Sequence, residues 1–317
     1  MDRRVIAVLL AGTLRPPPLR EALGRPIVCL PLGRSGTLLD AWLEALRSID
    51  ELAEIRVVLN GRPDVEAVNA AMSLAPWRPR RGKRSGPNVR CVAEPKAWRG
   101  PGGILRDVTD DLDGDDAVII IEALRLPPLT LRPLVDVFTK AFDGVVGLVG
   151  RDQPGGIYVF RQRILQQASA IGYCDLKEQL VPTVSRGGAK ITTAPLGEVG
   201  YTIRDRADYL SAVRASLAQP PGLDPPTRIA GAAAVSSSAL LEGFCVIEPD
   251  AVIGEGAVVH DSVVLSQAVI GGGAIVSRSV IGSSVAIAPH CRIVQKIVCE
   301  PRLTSAESAF AHRALAG

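Results

Sequence analysis

"CVIEPDAVIGEGAVV", residues 245–259, carries an aliphatic residue every six positions, at Ile247, Ile253 and Val259. Followed outward, the same period takes in Ile229, Val235 and Leu241 upstream and Leu265 downstream. Two five-residue steps then reach Ile270 and Ile275, and six-residue steps resume at Ile281, Ile287 and Ile293. Four places after most of these stands a small residue: Ala233, Ala239, Cys245, Ala251, Ala257, Ala274, Ser279 and Cys291. Three short strands joined by tight turns make one triangular coil with that spacing. Each face turns one aliphatic side chain inward, and a small residue fits near the corner. One coil cannot bury its own interior, so coils must stack. The twelve aliphatic positions predict four coils.

The pattern resembles the hexapeptide-repeat left-handed parallel β-helix, and places it over residues 229–298. The stretch before it, "AQPPGLDPPTR" (218–228), holds four prolines and a glycine and reads as a linker. After it, residues 303–317 read as a short helix, with Ser305 as N-cap and Glu307 in the first turn. Such a helix caps strand edges that the open end of a coil stack leaves unpaired.

The 317 residues allow about two domains. Apolar residues make up 47% and aromatic ones only 4%, so the core is aliphatic. A net charge of +3 gives no argument for nucleic acid or a membrane as partner. The six cysteines form no C-x-x-C pair and read as reduced core residues rather than metal ligands. No apolar run reaches the length of a membrane span. Asp2-Arg3-Arg4 before "VIAVLLAG" has the outline of a short signal peptide. The strand–helix pattern downstream needs a first β-strand there, so the expected compartment is the cytoplasm.

Residues 1–217 alternate apolar runs with helical patterns. The runs lie at 5–10, 55–59, 89–92, 117–121 and 144–149; the helical stretches at 37–49, 64–74, 103–112 and 131–142. Alternation of this kind predicts an α/β fold with a mostly parallel sheet covered on both faces. Ligands of such sheets bind beyond the strands' carboxyl ends. The segment 76–90 breaks the pattern. Basic, aperiodic and rich in Pro and Gly, it reads as a solvated loop or, more sharply, as a loop that contacts a phosphate or a partner.

Several segments, in order, are similar to those of the sugar-1-phosphate nucleotidyltransferases, or NDP-sugar pyrophosphorylases. "LAGTLRP" (10–16) is similar to that family's L-A-G-G-x-G-T-R-L-x-P loop, and "GRPIVCLPLGRSGTLLDAWLEAL" (24–46) to its Pro-Lys-Pro segment. "EPKAWRGPGGILRDV" (94–108) resembles E-x-x-x-G-T-A-G-A-L. "GGIYVFRQRIL" (155–165) and "DLKEQLVPTVSRGGAKI" (175–191) resemble N-A-G-I-Y-x-F and D-L-x-x-D-L-x-P-x-L-x-x-x-G. "YTIRDRADYLSA" (201–212) sits where the family has W-x-D-I-G-T-P-x-D-Y-L-x-A. The resemblance implies a Rossmann-like, GT-A-like domain over 1–217.

It also implies a chemistry. A sugar-phosphate oxygen attacks the α-phosphorus of a nucleoside triphosphate and pyrophosphate leaves, with glycine N–H groups, a guanidinium and Mg²⁺ neutralising charge. By this likeness Gly12, Thr13, Arg15, Gly102 and Gly103 face the nucleotide, and Gly156 and Glu178 face the sugar. The departures are pointed. The loop lacks two glycines and an arginine between strand and leucine, with Arg15 as partial replacement. Arg25 stands for the lysine, and a planar fork is not a point charge. The first metal-binding aspartate is replaced by Glu122-Ala123, one position early, and the second by Thr202. No metal ligand set is therefore predicted.

These departures make the expected protein a catalytically degenerate relative that binds a nucleotide sugar in a regulatory or scaffold role. Its expected partners are copies of itself or an active relative. The alternative is an active enzyme with a rearranged site: Arg15 and Arg25 on phosphates, Glu122 or Asp152 on Mg²⁺. A lesser alternative is an acyltransferase working from the β-helix through His260 or His290.

Overall fold

Continuous apolar runs build the first unit. The computed structural model describes residues 4–12, 16–33, 36–74, 86–95, 98–138, 142–150, 153–197, 200, 202–218 and 227–299. By contacts, the chain divides into Met1–Leu217 and Ala218–Gly317.

Strand β1 (Val5–Leu10) opens the first unit, followed by α1 (Pro18–Leu23) and α2 (Leu38–Leu46). Then come β2 (Leu52–Leu59), α3 (Arg62–Leu74), β3 (Asn88–Ala93), α4 (Gly100–Val108) and β4 (Ala117–Glu122). The unit closes with α5 (Arg132–Phe138), β5 (Gly144–Val149), β6 (Gln153–Arg161), α6 (Gln162–Leu165), α7 (Val181–Arg186), β7 (Ile191–Pro195) and α8 (Arg206–Leu217). The seven strands form one sheet in the order β3-β2-β1-β4-β6-β5-β7. All pairings are parallel except those of β6, which runs against β4 and β5. The domain is thus mixed α/β and Rossmann-like. The reversed strand, β6, contains the first part of the 155–165 motif and lies outside the five expected runs.

Central position explains the composition of β1 and β4. Covered on both faces, they need no polar alternation. Ile6, Ala7, Val8 and Leu9 are wholly buried, as are Val118 to Ile121. Ile6, Val8, Val118, Ile120, Tyr158 and Phe160 share one face with Ile104 and Leu105 of α4 and Leu165 of α6. Local signals set the helix ends. Thr37 and Asp40 form a capping box, the Asp40 N–H donating to Thr37 Oγ1 at 3.2 Å and the Thr37 N–H to Asp40 Oδ2 at 2.8 Å. Pro18, which has no N–H to lose, starts α1, and Gly24 ends it with φ +62°. Helix α4 begins at Gly100, three residues before the expected start, and Thr109 closes it.

The second unit is a parallel β-rich region whose strands pair at long, regular intervals. Ile229 pairs with Ile247, 18 residues on; Ile247 with Val264, Val264 with Ile281, and Ile281 with Val298, each 17 residues on. Val235, Ile253, Ile270 and Ile287 make a second ladder, and Leu241, Val259, Val276 and Ile293 a third. The first paired strand, Thr227–Ile229, begins inside the stretch read as linker.

Two inward positions differ from expectation. Val264, not Leu265, joins the ladder, and Val276, wholly buried, replaces Ile275, which is 38% exposed. The five-residue steps therefore run from Val259 to Val264 and from Val276 to Ile281. Both cross a left-handed turn residue, Asp261 (φ +48°) or Arg278 (φ +47°). The residue after each turn is a buried serine. Ser262 Oγ donates to the His260 carbonyl at 2.7 Å and accepts the Ser279 N–H at 3.0 Å. Ser279 repeats the pattern with the Ser277 carbonyl and the Lys296 N–H. Hydroxyls thus satisfy backbone groups that a shortened turn would orphan. All six cysteines are free; Cys29, Cys174 and Cys245 are buried, but Cys291 and Cys299 are exposed, against the core reading of those two. Residues 303–317, expected as a helix, lie outside the described residues.

Candidate functional site

Parallel topology puts the carboxyl ends of β1, β2, β3 and β4 on one edge of the sheet. Leu10, Leu59, Ala93 and Glu122 end these strands, and the register sets Leu10 opposite Glu122. Two features lie along this edge.

The first is a cavity of about 230 Å³ lined by Leu10, Gly12, Val58, Glu94, Gly100, Pro101, Ile104 and Tyr173. Gly12 owes its identity to space. A Cβ there would stand 2.3 Å from Asn60 Oδ1 and 2.6 Å from Glu94 Oε1. Burial pushes the Glu94 carboxyl above its ordinary value. Gly100 adopts φ +67°, and its Cβ would press the Cys174 carbonyl oxygen at 2.7 Å and the Tyr173 ring at 2.8 Å. Gly102 and Gly103 lie one layer deeper. The Gly102 N–H donates to the Cys174 carbonyl at 2.9 Å, and Gly103 packs on Arg99. Arg99 in turn donates to the carbonyls of Ser169 and Gly172 and pairs with Asp107, fixing the segment that carries Tyr173.

The first two donors of the turn after β1 are spent inside the sheet. Both the Ala11 and the Gly12 N–H donate to the Val58 carbonyl, at 2.9 and 3.0 Å. An anion-cradling turn needs such groups aimed outward. Thr13 and Arg15 lie outside the described residues, as does Asp152. Arg25 is half-buried between Gly24 and Pro26. It lies near Cys29, whose thiol burial pushes up to about 11, with the Arg25 charge pulling the other way.

The second feature surrounds Glu122. Its Oε2 accepts Arg125 Nη2 at 2.8 Å, and its Oε1 accepts Lys177 Nζ at 2.7 Å and the Tyr158 hydroxyl at 3.3 Å. Arg125 Nη1 also donates to the Gly155 carbonyl at 2.6 Å. Gly156 makes room for the pair: with φ +73°, its Cβ would lie 2.7 Å from both Arg125 Cζ and Glu122 Oε2. Burial, with the Glu122 charge, raises the Tyr158 phenol and keeps it neutral. Thr202 faces Arg125 across an antiparallel bridge. Asp175 caps the turn that delivers the lysine, accepting the N–H groups of Lys177 and Glu178 at 2.7 and 2.8 Å. Lys177 thereby reaches Glu122, while Glu178 is exposed.

Of the residues singled out in the sequence, Glu122 and Gly156 come together, Thr202 adjoins them only through its backbone bridge to Arg125, and Gly12 lines the cavity. Glu94, Tyr173, Arg125 and Lys177 were not singled out. Glu94 and Lys177 lay inside quoted motifs; Arg125 carried no local signal.

The nucleotidyltransferase likeness implies Mg²⁺ held by two carboxylates, and these residues do not fit it. Both Glu122 oxygens are taken by cations, and Thr202, the residue that the likeness sets at the place of the second carboxylate, carries only a hydroxyl. Among the described residues no three His, Cys, Asp or Glu side chains group as a metal site. In the second unit, His260 Nδ1 lies 3.4 Å from Ser277 Oγ and its Nε2 3.6 Å from Asp261 Oδ2, while His290 is exposed on a left-handed turn. Among the described residues no helix is long and apolar enough to cross a membrane.

No curated protein matches the chain. Residues 223–314, under a third of its length, match the family model described as the GMPPB C-terminal domain. That match supports the likeness to sugar-1-phosphate nucleotidyltransferases, and it covers the stretch with the six-residue period.

Proposed function

We propose that this protein is a catalytically degenerate nucleotidyltransferase-like protein that binds a nucleotide sugar and acts as a regulatory or scaffold subunit. The observation that carries the reading is the neutralisation of Glu122 by Arg125 and Lys177. Nucleotidyl transfer gathers negative charge on the departing pyrophosphate, and a divalent ion held by carboxylates normally balances it. Here the carboxylate is already spent on side-chain cations. The turn after β1 adds to the case, since its first two N–H groups are consumed by Val58. The cavity beside Gly12, apolar with a carboxyl at one wall, suits a nucleobase.

In this reading the second unit is a left-handed β-helix. Its parallel ladders support self-association or pairing with an active relative. The test is direct. Purified protein mixed with nucleoside triphosphates, sugar 1-phosphates and Mg²⁺ is expected to release no pyrophosphate, and sustained turnover would overturn the reading.

A further inference from the structure

The Glu122 cluster sets two cations, Arg125 and Lys177, on one carboxylate, with a second carboxylate, Asp175, beside it on the turn that carries Lys177. Arg125 is the more buried, at 15% side-chain exposure, and is oriented by the Gly155 carbonyl. Lys177 is open to solvent, at 42%. A divalent cation brought to Glu122 meets Arg125 and Lys177 already on its two oxygens, and those two cations are the groups that an anion would engage.

Two placements tie the cluster to the cavity. Leu10 lines the cavity, and its backbone stands opposite that of Glu122 in the β1–β4 register, one strand spacing away, roughly 4.8 Å. Tyr173 lines the cavity, and Lys177 follows it by four residues on the same segment. A molecule with an aromatic base in the cavity would therefore bring its first phosphates to the cations.

We infer that Arg125 and Lys177 form a resident cation pair that binds the diphosphate of a nucleotide sugar without a divalent ion, with Glu122 as its internal counter-anion. This rests on the nucleotide-sugar reading above. The diphosphate competes with Glu122 for the same donors, so Glu122 restrains affinity rather than supplying it. That role is the inverse of the one a metal-binding carboxylate plays.

The experiment titrates the full-length protein calorimetrically with inorganic pyrophosphate, in EDTA and again in Mg²⁺. GDP-mannose, UDP-glucose, ADP-glucose and dTDP-glucose are titrated in parallel. Pyrophosphate is expected to bind in EDTA with no more than about threefold gain from Mg²⁺. Truncating an exposed phosphate-binding cation weakens such a contact, so Lys177→Ala should lose roughly tenfold in affinity. Removing the competing charge in Glu122→Gln should tighten binding by a similar factor, roughly tenfold. Lys177 is exposed, so its variant reads binding and not folding.

Absence of pyrophosphate binding in EDTA, or weaker binding in Glu122→Gln, overturns the inference. If a nucleotide sugar binds only with Mg²⁺, the cation pair falls and the ligand reading stands. If pyrophosphate binds free of metal and no nucleotide sugar does, the cation pair stands and the ligand reading falls.

Discussion

Trp42 Nε1 donates to the carbonyl oxygen of Ala123 at 3.0 Å, joining α2 to the residue that follows Glu122. The indole is wholly buried. It is therefore both a packing element and the satisfier of a backbone acceptor at the functional edge. Trp42→Ala should lower stability by about 3–5 kcal/mol, the range for emptying a large aromatic site. Trp42→Phe keeps most of the volume but orphans the carbonyl, and should cost about 1–3 kcal/mol. Urea unfolding checks both, and a Trp42→Phe midpoint equal to the parent's would show that the hydrogen bond adds nothing.

Gly156 and Gly188 separate two costs. Both have positive φ, +73° and +91°, but a Cβ on Gly188 meets nothing within 4 Å, whereas on Gly156 it meets Arg125 and Glu122. Gly188→Ala should show only the backbone penalty, about 1 kcal/mol. Gly156→Ala should exceed it by at least about 1 kcal/mol, because the ion pair must also move. Equal midpoints for the two variants in thermal or urea unfolding would mean that the pair yields freely.

How far the sequence spoke depends on how local each signal is. The apolar runs of β1 and β4 are written in consecutive residues and each found its strand, and the six-residue period falls on the parallel β-rich second unit. The two misplaced inward positions show what period alone misses. Leu265 and Ile275 are aliphatic neighbours of the true ladder residues, Val264 and Val276. A small residue stands two places before each true ladder residue, Ser262 before Val264 and Ala274 before Val276, while the shortened corners themselves fall at Ser262 and Ser279. The site fared differently. Glu122 was legible as a carboxylate at a strand end, but its partners lie three and 55 residues away, and only the turn capped by Asp175 brings Lys177 rather than Glu178 to it. Nothing in the sequence spacing encodes that choice.

The serine ladder in the second unit should be measurable amide by amide. Ser279 is wholly buried, and its hydroxyl accepts the Lys296 N–H at 3.1 Å. Ser279→Ala leaves that donor without its acceptor, at a cost of about 1–3 kcal/mol. The expected outcome is faster hydrogen exchange at Lys296 and at the neighbouring strand, Ile297–Val298. Exchange at Lys296 unchanged from the parent would place its protection elsewhere.

Acid stability should be governed by the far end of the sheet, where Arg56, 1% exposed, bonds Glu54 and Asp111. Desolvation pushes the Glu54 carboxyl up, but hydrogen bonds and charge from Arg56 and Arg90 more than reverse it, leaving it below its ordinary value. Asp111 is held low chiefly by its hydrogen bond to Arg56. Depressed folded-state values mean that the unfolded chain binds these protons first. The stabilisation is then complete above the ordinary carboxylate range, about 4, and is lost as pH falls through the lower folded values. Within that window stability rises with pH, each group contributing a slope of at most about 1.4 kcal/mol per pH unit. Urea unfolding between pH 6 and pH 2 should show this fall, and Glu54→Gln should make it shallower by up to one proton's worth. A slope in Glu54→Gln equal to the parent's would assign the acid transition to other carboxylates.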